Sequence, residues 1–519
     1  MEFWCSCAIF TLIISLLISA LLLLHILKPP KQAKTTRATL PPGPSGFPLI
    51  GNLLLFRKPF SDLEPILRNL HARHGPLVTL RLGSRPAIFV ADRSLAHHAL
   101  IQRGAAFADR PPALLTGRIT TSNQRTVMSA SYGPTWRRLR RNLTFHILNP
   151  TRVNSYAHAR ARTLHTLVDL LSAEAQSGHP VRVLDHFQHA MFSLLVFMCF
   201  GDEVDDDKVR GIEAVQRKQL ASFNRFNVLN LWPRLGKVLF RKRWKEFLQM
   251  RKDQEDLLIT LIRARTDGKA KEEVEKERVM SYVNTLIGLE LPEEKRELNE
   301  GEMVSLCSEF LNAGTDTTAT TLQWIMANLV KYPHVQDKLF AEINGVLRGE
   351  FKELKEDDLD KLPYLKAVVL EGLRRHPPTH FVVPHAAAEE GIELGSYGVP
   401  KNALVNFMAA EMGWDPEVWE DPMEFRPERF LKSDKNGEVG EVGFDLKGVR
   451  EIKMMPFGAG RRMCPGYGLA MLHLEYFVGN LVWNFEWKGE GVDLSEKQEF
   501  TFVMKYPLGA ILSPRLKSN

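Results

Sequence analysis

The sequence predicts a mainly α protein with small β-sheets, preceded by a single N-terminal transmembrane helix. Three observations lead to this fold class: a long apolar segment near the N-terminus, helical periodicity through most of the remaining chain, and a few short strand-like pieces. Of the 519 residues, 44% are hydrophobic and 25% are charged. This composition is typical of a folded protein and excludes a disordered or collagen-like chain.

The N-terminal apolar segment covers residues 8–27, without a single acidic residue, lysine or arginine. A helix of this length spans about 30 Å, the thickness of a bilayer core. The alternatives are a buried core helix and a cleaved signal peptide, whose apolar region is usually about 7–15 residues long. Basic residues follow the segment, so the positive-inside rule predicts a cytosolic body. These residues are Lys28, Lys31, Lys34 and Arg37.

The segment also sets the predicted domain boundaries. We expect a membrane anchor at residues 1–28, a basic and proline-rich linker at 29–46, and a folded body at 47–519. Three prolines within residues 40–44 fix φ and remove hydrogen-bond donors, which predicts a stiff connector. The net charge of +7 is concentrated partly in the linker, so we expect membrane lipid and no nucleic acid as a partner.

Two elements of the body have clear patterns. Leu77–Leu82 and 87–91 flank a Gly-Ser-Arg-Pro turn and predict a β-hairpin. The longest helix candidate covers about residues 302–330 and is apolar on most sides, so it should cross the core. Its middle, residues 313–318, reads Ala-Gly-Thr-Asp-Thr-Thr. Taken alone, hydroxyls bonded to the preceding turn and a paired aspartate explain this polar interruption.

One of the five cysteines lies in a glycine-rich loop. The cysteines are scattered without CxxC spacing, which argues against a disulfide scaffold and a zinc site. Residues 456–466 read PFGAGRRMCPG and lead into an apolar helical stretch at 469–482. Glycines at 458, 460 and 466 permit positive φ, and amide N–H groups with a helix N-terminus should lower the pKa of the Cys464 thiol. The loop is therefore a candidate thiolate ligand site.

This loop resembles the haem-binding signature of the cytochrome P450 family, F-x-x-G-x-R-x-C-x-G. Phe457, Gly460, Arg462, Cys464 and Gly466 fill every position. A buried, inert thiol is the alternative for a lone cysteine. The resemblance implies the cytochrome P450 fold, haem b as the cofactor, and Cys464 as the axial ligand of the haem iron. It also implies that residues 47–519 are a haem-thiolate catalytic domain.

Further segments resemble motifs of the same family, in the same order. Glu371 and Arg374 resemble its ExxR motif, and Arg429 resembles the arginine that joins this pair in a structural network. A surface ion pair is the ordinary meaning of ExxR alone. The residues that the resemblance implies to contact a haem propionate are Trp136, Arg140 and His385.

The middle of the long helix resembles the family's A/G-G-x-D/E-T pattern. The resemblance implies that Ala313 and Gly314 border the haem where dioxygen binds. It implies that Asp316 and Thr317 are the catalytic acid–alcohol pair that delivers protons. By family position the substrate pocket should be bordered by 114–125, 223–231, Glu309, Phe310, 380–383, Phe502 and Val503.

The resemblance to plant microsomal members implies a monooxygenase anchored once in the endoplasmic reticulum membrane, with the catalytic domain in the cytosol. It would insert one oxygen atom from O2 into a lipophilic plant metabolite by hydroxylation or epoxidation. The chain has no convincing dinucleotide fingerprint. Electrons from NADPH should therefore arrive through a separate NADPH–cytochrome P450 reductase, with cytochrome b5 as a second candidate partner. Candidate docking residues are Arg137, Arg138 and Arg141.

Two other functions remain open at this point. The first is a haem-thiolate isomerase or dehydratase, which needs no external electrons; the retained Thr317 argues against it. The second is a non-catalytic haem-binding membrane protein, for which a damaged Asp316–Thr317 pair would be expected. A serine hydrolase or zinc protease has no support, because neither GxSxG nor HExxH occurs.

Overall fold

The computed structural model describes residues 11, 13–20, 39–47, 50–55, 60–83, 85–201, 204–230, 233–266, 280–348, 352–433, 439–440 and 443–515. Of the predicted anchor, residues 13–20 are helical and exposed to solvent. The remainder of that segment, apart from residue 11, lies outside the described residues. So do the basic residues that follow it, Lys28, Lys31, Lys34 and Arg37.

Helices dominate the body, in agreement with the predicted fold class. Among the described residues of the body, from residue 47 on, the α-helices are α1 (Phe60–His74), α2 (Arg93–His97), α3 (Leu115–Thr120), α4 (Pro134–His146), α5 (Pro150–Ser155), α6 (Ala157–Ala175), α7 (Val183–Phe200), α8 (Asp206–Phe226), α9 (Pro233–Leu239), α10 (Arg241–Thr266), α11 (Tyr282–Leu286), α12 (Glu300–Lys331), α13 (Pro333–Leu347), α14 (Pro363–Arg375), α15 (Ala409–Gly413) and α16 (Tyr467–Asn484). Short 3-10 turns include Gly460–Arg462.

The strands are short and form small sheets. They are β1 (Leu77–Leu82), β2 (Arg85–Val90), β3 (Val181–Arg182), β4 (Glu290–Leu291), β5 (Arg296–Glu297), β6 (Ile392–Leu394), β7 (Tyr397–Val399), β8 (Leu404–Phe407), β9 (Lys432–Ser433), β10 (Val439–Gly440), β11 (Phe485–Lys488), β12 (Glu496–Gln498), β13 (Phe502–Met504) and β14 (Gly509–Pro514). The predicted hairpin is confirmed: β1 pairs antiparallel with β2, with Leu77 opposite Val90, and β8 joins β2 in parallel.

The long central helix α12 is confirmed and crosses the core. It begins two residues earlier than predicted because Asn299 and Glu302 form a capping box. The Asn299 Oδ1 accepts the Glu302 N–H at 2.9 Å, and Glu302 Oε2 accepts the Asn299 N–H at 2.9 Å. The helix ends at Lys331, just before Pro333. Helices α7 and α16 pack against it, which places the segment after the cysteine loop beside the core.

Helix α7 is the one described helix whose length and apolar composition would allow it to cross a membrane. However, 72% of its Val183–Phe200 span is buried inside the protein. Its side chains contact α6 and α12, and Phe187, Leu195 and Phe200 belong to the hydrophobic core. It is therefore a core helix, which explains its apolar composition.

Candidate functional site

The cysteine loop wraps closely around Cys464. The Cys464 N–H donates to the Phe457 carbonyl at 2.9 Å, and the Gly466 N–H donates to the Cys464 sulfur. Gly466 is the N-cap of α16, which begins at Tyr467. The sulfur is therefore fixed at a helix N-terminus, and the Cys464 side chain remains half-buried.

The predicted direction of the Cys464 pKa shift is wrong for the protein chain alone. Burial raises the pKa of this thiol, and the opposing effects of the Gly466 N–H and the nearby Arg140 guanidinium do not compensate. Low-dielectric surroundings disfavour a thiolate unless a strong positive charge lies next to it. The chain positions the sulfur, and a metal cation would supply the missing charge.

The three glycines of the loop have different structural roles. Gly460 has φ +70°, and a Cβ built there would lie 2.0 Å from the Leu100 carbonyl oxygen. Gly458 also has a positive φ, +68°. Gly466, in contrast, has φ −91°, and no heavy atom lies within 4 Å of its Cβ position. The expectation that Gly466 supplies positive φ is therefore wrong, and its role in the loop is to donate its N–H group.

We expect Gly460→Ala to disrupt the loop, because both the backbone conformation and the close approach to Leu100 exclude a side chain. The variant should retain much less haem than the wild type when purified under identical conditions. Gly468→Ala is the matched control, since no heavy atom lies within 4 Å of that Cβ position and the residue is helical. Equal haem retention in Gly460→Ala and wild type would contradict this explanation.

Arg462 is buried beside the loop and is bound entirely by backbone. Its guanidinium donates to the carbonyls of Ala108 at 2.7 Å and Ala130 at 2.6 Å, and it lies 4.4 Å from the centre of the Trp136 ring. The pKa of Arg462 falls to about 9, first because of burial and then because of repulsion by Arg110. A buried cation without a carboxylate partner in direct contact is a strong candidate for an anion-binding group.

Trp136 and Arg140 lie one turn apart on α4, as predicted, and both face the cysteine loop. The Trp136 indole N–H donates to the Val127 carbonyl at 3.1 Å, and its ring is buried. Arg140 donates to the Met463 carbonyl at 2.6 Å and is close enough to Cys464 to lower the pKa of the thiol. The helix therefore places one cation next to the sulfur.

His385 joins this basic cluster from the strand side. Its ring is buried, and Nδ1 lies 2.7 Å from the Phe107 carbonyl oxygen. Its pKa falls to about 3 because of burial and because Arg110 and Arg462 are nearby. The ring is therefore neutral at physiological pH, and with Nδ1 protonated toward Phe107 its Nε2 is an acceptor, unless an anion restores the charge.

Arg110 is the residue of this cluster that sequence analysis missed. It is buried and donates to the carbonyls of Met128, Val383 and Pro384 at 2.8–2.9 Å. Burial lowers its pKa to about 10, although Glu309 and Asp109 oppose this. No spacing signal marks a single arginine between Asp109 and Pro111, so it could not be found from the sequence.

Part of the middle of α12 is accessible to solvent, although the helix crosses the core. Ala313 is exposed and Thr317 is half-buried, one turn apart on the same face. The Thr317 hydroxyl donates to the Ala313 carbonyl at 2.7 Å. Gly314 has a different environment, because a Cβ there would lie 2.7 Å from Leu195 of α7. Close packing of α7 on α12 therefore requires the glycine.

Asp316 points toward α7 and α8. Gln188 Nε2 donates to its Oδ1 at 3.4 Å. Burial raises the pKa of Asp316 to about 6, and Arg217 partly opposes the shift. A carboxyl group with a pKa near neutrality can both bind and release a proton at physiological pH.

The structure brings Glu371, Arg374 and Arg429 into direct contact. The Arg374 guanidinium makes a bidentate pair with Glu371 at 2.7 and 2.8 Å, and both side chains are 0% exposed. Arg429 Nε donates to Glu371 Oε1 at 3.1 Å. The remaining Arg374 N–H groups bind the carbonyls of Gly413, Pro422 and Glu424. One fully buried carboxylate thus holds three chain segments together.

The prediction that His380 borders the substrate pocket is wrong. This histidine is buried, with Nδ1 2.6 Å from Glu64 and Nε2 3.2 Å from Glu496, and its ring stacks on Phe502 at 3.5 Å. His376 also contacts Glu496, at 2.9 Å. His380 therefore belongs to a buried charged cluster and not to an apolar pocket wall. Of the predicted lining, the side chains of residues 223 and 224 and the whole of residue 231 lie outside the described part of the chain.

Comparison with known proteins identifies the family. Residues 41–513 match the family model named Cytochrome P450. The chain is 52% identical to cytochrome P450 89A9 of Arabidopsis thaliana over 92% of this chain and 94% of that protein. Geraniol 8-hydroxylase of Catharanthus roseus is 31% identical, over 91% and 94%. A zebra fish cytochrome P450 structure with abiraterone superposes with a TM-score of 0.69 at 23% identity, covering 88% of this chain and 100% of that chain, and confirms the fold. This chain belongs to the cytochrome P450 family of haem monooxygenases.

Proposed function

We propose that the protein is a membrane-anchored haem-thiolate monooxygenase that inserts one oxygen atom from O2 into a lipophilic plant metabolite. The observation that carries this function is the combination of a fixed Cys464 sulfur with the accessible Ala313–Thr317 face of α12. Similarity to a plant hydroxylase supports the reaction class. Hydroxylation and epoxidation are both consistent with these residues.

The residues around Cys464 fit a haem with its two propionates. Arg140, Arg462 and Arg110 gather three cations around the loop, and the contacts of Arg462 are to carbonyls. His385 lies at the same place and would add an Nε2–H donor once an anion restores its charge, and the Trp136 ring packs against Arg462. The pKa values of Arg462 and His385 are lowered first by burial and then by repulsion from Arg110, and two carboxylates there would offset both effects. We therefore assign these residues to the propionates and Cys464 to the iron.

The haem supplies dioxygen binding and reductive O–O cleavage, which a thiolate ligand favours. The chain supplies the ligand, the orientation and the protons. Phe457 is half-buried beside the loop and limits access of water to the sulfur. The Thr317 Oγ1 hydroxyl donates and accepts protons on the dioxygen side. Asp316, with its pKa near 6, replenishes the proton of that hydroxyl from the α7–α8 side.

The substrate side is largely apolar. Leu114, Met128 and Val383 are exposed large apolar residues on three loops of the site region, and Phe310 is half-buried on α12. Glu309 adds one carboxylate, which accepts the Met128 N–H at 3.1 Å and has a pKa raised by burial. These residues support a lipophilic substrate, in line with exclusion of water from an apolar pocket.

The membrane assignment rests on residues 8–27. The described helical part exposes large apolar side chains, which are Ile13, Ile14, Leu16, Leu17 and Ile18. Exposed apolar side chains of this kind are stable in lipid. We propose an anchor at 1–28, a linker at 29–46 and a catalytic domain at 47–519, single-pass in the endoplasmic reticulum membrane with a cytosolic body.

Electrons are proposed to come from NADPH through a separate reductase. Arg137, Arg138 and Arg141 are exposed on α4, the helix that also carries Arg140 beside Cys464. An acidic partner docked on these side chains would lie near the haem ligand. NADPH–cytochrome P450 reductase is the proposed donor, and cytochrome b5 is a second acidic partner for the same face.

The reaction is tested with the full-length protein in membranes, a plant reductase, NADPH and a panel of lipophilic plant metabolites under isotopically labelled dioxygen. We expect one labelled oxygen atom in the product, and only when NADPH and the reductase are present. Conversion without NADPH would contradict the proposal and support an isomerase or dehydratase. Failure to convert any compound of a broad panel, with intact haem and reduction by the reductase, would count against a catalytic function.

We expect Thr317→Ala to uncouple the reaction, because the variant lacks the hydroxyl that passes protons to the dioxygen side. NADPH consumption should continue while product falls about tenfold or more, with hydrogen peroxide released in its place. Thr321→Ala is the matched control: its hydroxyl bonds to the Thr317 carbonyl at 2.8 Å in the same manner, but its side chain is buried. Unchanged coupling in Thr317→Ala would contradict the assigned role.

A further inference from the structure

A line of titratable side chains connects the protein surface to Asp316. Asp206, at the N-terminus of α8, is 61% exposed, and its Oδ1 lies 3.0 Å from His189 Nε2. The other ring nitrogen, His189 Nδ1, lies 2.9 Å from Glu213 Oε2. His189 is 15% exposed and Glu213 is 10% exposed, so burial increases along this line. The imidazole therefore bridges an exposed carboxylate and a buried one.

A small cavity of about 10 Å³ separates Glu213 from Asp316. Six of its lining residues are Glu213, Gln216 and Arg217 of α8 and Asn312, Thr315 and Asp316 of α12. Gln216 Nε2 and Thr315 Oγ1 are buried and have no hydrogen-bond partner among the residues that the structure describes. A cavity of about this size, with polar partners, holds one water molecule. One water would satisfy both groups and bridge the two carboxyl groups.

We propose that His189 and Glu213 form a proton relay that carries protons from the surface at Asp206, through the cavity, to Asp316. The relay rests on the proposed function, in which Asp316 replenishes the Thr317 hydroxyl. Monooxygenation consumes two protons for each oxygen atom inserted, and both must come from bulk water. The relay gives them a fixed path on the α7–α8 side of the central helix.

Each proton transfer in this relay breaks one bond to hydrogen and forms another. The Nδ1–H bond of the His189 imidazolium breaks and an O–H bond forms on Glu213 Oε2. The Glu213 proton then passes to the cavity water, which releases a proton to the Asp316 carboxylate. The neutral His189 ring keeps its proton on Nε2, so it must rotate to turn the vacant Nδ1 toward the Asp206 side. There Nδ1 takes a proton that Asp206 has received from bulk water. Rotation back returns the relay to its starting state without any oxidant or reductant.

The charges around His189 keep it a proton donor near neutral pH. Its pKa is raised, first by the hydrogen bond to Glu213, and also by Asp206, against the effects of burial and of Arg210. Arg217, 3.6 Å from Glu213, faces the cavity from α8, and Glu499 approaches Asp316 from the C-terminal side. Gln188 of α7 binds Asp316 directly. The imidazolium therefore persists at pH values where a free histidine is mostly neutral.

The relay is distinguished from a merely structural bridge by Glu213→Gln and His189→Gln, which keep hydrogen-bonding side chains but cannot transfer the proton in the same way. With the reductase, NADPH and a compound converted in the screen, we expect each variant to turn over about tenfold more slowly, with a larger solvent deuterium isotope effect. His186→Gln is the matched control, because His186 lies on the same helix and pairs with Glu174 at 3.0 Å but does not line the cavity.

A readout independent of turnover is the titration of His189 in ¹⁵N-histidine-labelled ferric protein, assigned with His189→Gln. The relay predicts a raised pKa in wild type and a lower one in Glu213→Gln. The fall in turnover rate with rising pH should move to lower pH in the same variant, because the donor form is lost earlier. An unshifted His189 pKa would overturn the relay.

Failure of the relay and failure of the proposed function give different results. If Glu213→Gln and His189→Gln keep wild-type turnover and isotope effect while Asp316→Asn is slow, the relay is overturned and Asp316 has another proton source. If Asp316→Asn also behaves as wild type, the acid–alcohol pair itself is wrong. Slow turnover in all three variants with an unaffected His186→Gln supports the relay.

Discussion

Cys464→Ala is expected to abolish the thiolate-type haem spectrum and the monooxygenase reaction. Among the described cysteines, Cys199 and Cys307 are fully buried in the hydrophobic core, whereas Cys464 lies in a glycine-rich loop at the N-terminus of α16. The Gly466 N–H donates to the Cys464 sulfur, and the Arg140 guanidinium lies close to it. Neither of the other two described cysteines can replace it, so the effect should be complete loss and not a partial decrease.

The measurement is the absorption spectrum of purified ferric and ferrous protein, together with the haem content. Cys307→Ala is the matched control, since it removes a thiol of the same size from the core and should preserve the spectrum. Because burial raises the pKa of the Cys464 thiol without a metal, we also expect metal-free protein to react slowly with thiol reagents near pH 7. A thiolate spectrum in Cys464→Ala would refute the ligand assignment.

Glu371→Gln is expected to destabilise the protein by about 3–5 kcal/mol, the range found when one partner of a buried ion pair is removed. The substitution leaves the guanidinium groups of Arg374 and Arg429 without their shared anion, and Arg374 has 0% exposure. These groups tie α14 to the segment around residues 413–429, which precedes the cysteine loop. Loss of the carboxylate charge should therefore also reduce haem retention.

The matched control for this prediction is Lys361→Gln. Lys361 and Asp358 have the same i, i+3 spacing as Arg374 and Glu371 and lie 2.7 Å apart, but Lys361 is 61% exposed. Its loss should change the free energy of unfolding by about 0–1 kcal/mol. The comparison is made by denaturant titration of both variants. If the two substitutions had equal effects, the network around Glu371 would not be a major source of stability.

The regular elements of the fold could be predicted because their signals are local. The hairpin of β1 and β2 follows from two β-rich segments on either side of a glycine-containing turn. The central helix follows from a long apolar pattern with a proline just after its C-terminal end. Only its first residues were displaced, because the Asn299–Glu302 box lies outside the apolar part of the pattern.

The contents of the site could be predicted only where residues are close in sequence. Cys464, Arg462 and Gly460 share one loop, and Asp316 and Thr317 share one helix. Arg110 joins the site from a distant segment and has no pattern of its own. The Glu64–His380–Glu496 cluster brings together residues more than a hundred positions apart. Such pairings depend on tertiary packing, which periodicity does not encode.

The direction of the Cys464 pKa shift was also predicted wrongly because it depends on tertiary packing. Loop amides and a helix N-terminus can be seen in the sequence, and both favour a thiolate. The degree of burial of the Cys464 thiol cannot be read from the sequence, and burial has the largest effect on the pKa of this thiol. Likewise, the sequence does not show that the Cβ position of Gly314 is closed by Leu195 of a neighbouring helix.

The most direct test of the central claim, a haem held by the Cys464 thiolate in a monooxygenase, is the carbon monoxide difference spectrum of dithionite-reduced membranes containing the full-length protein. Membranes from cells without the protein are the reference. The structure predicts a thiolate-type Soret band of an intensity that matches the haem content. An imidazole-type band from haem-replete, well-expressed protein would contradict both the ligand assignment and the reaction derived from it.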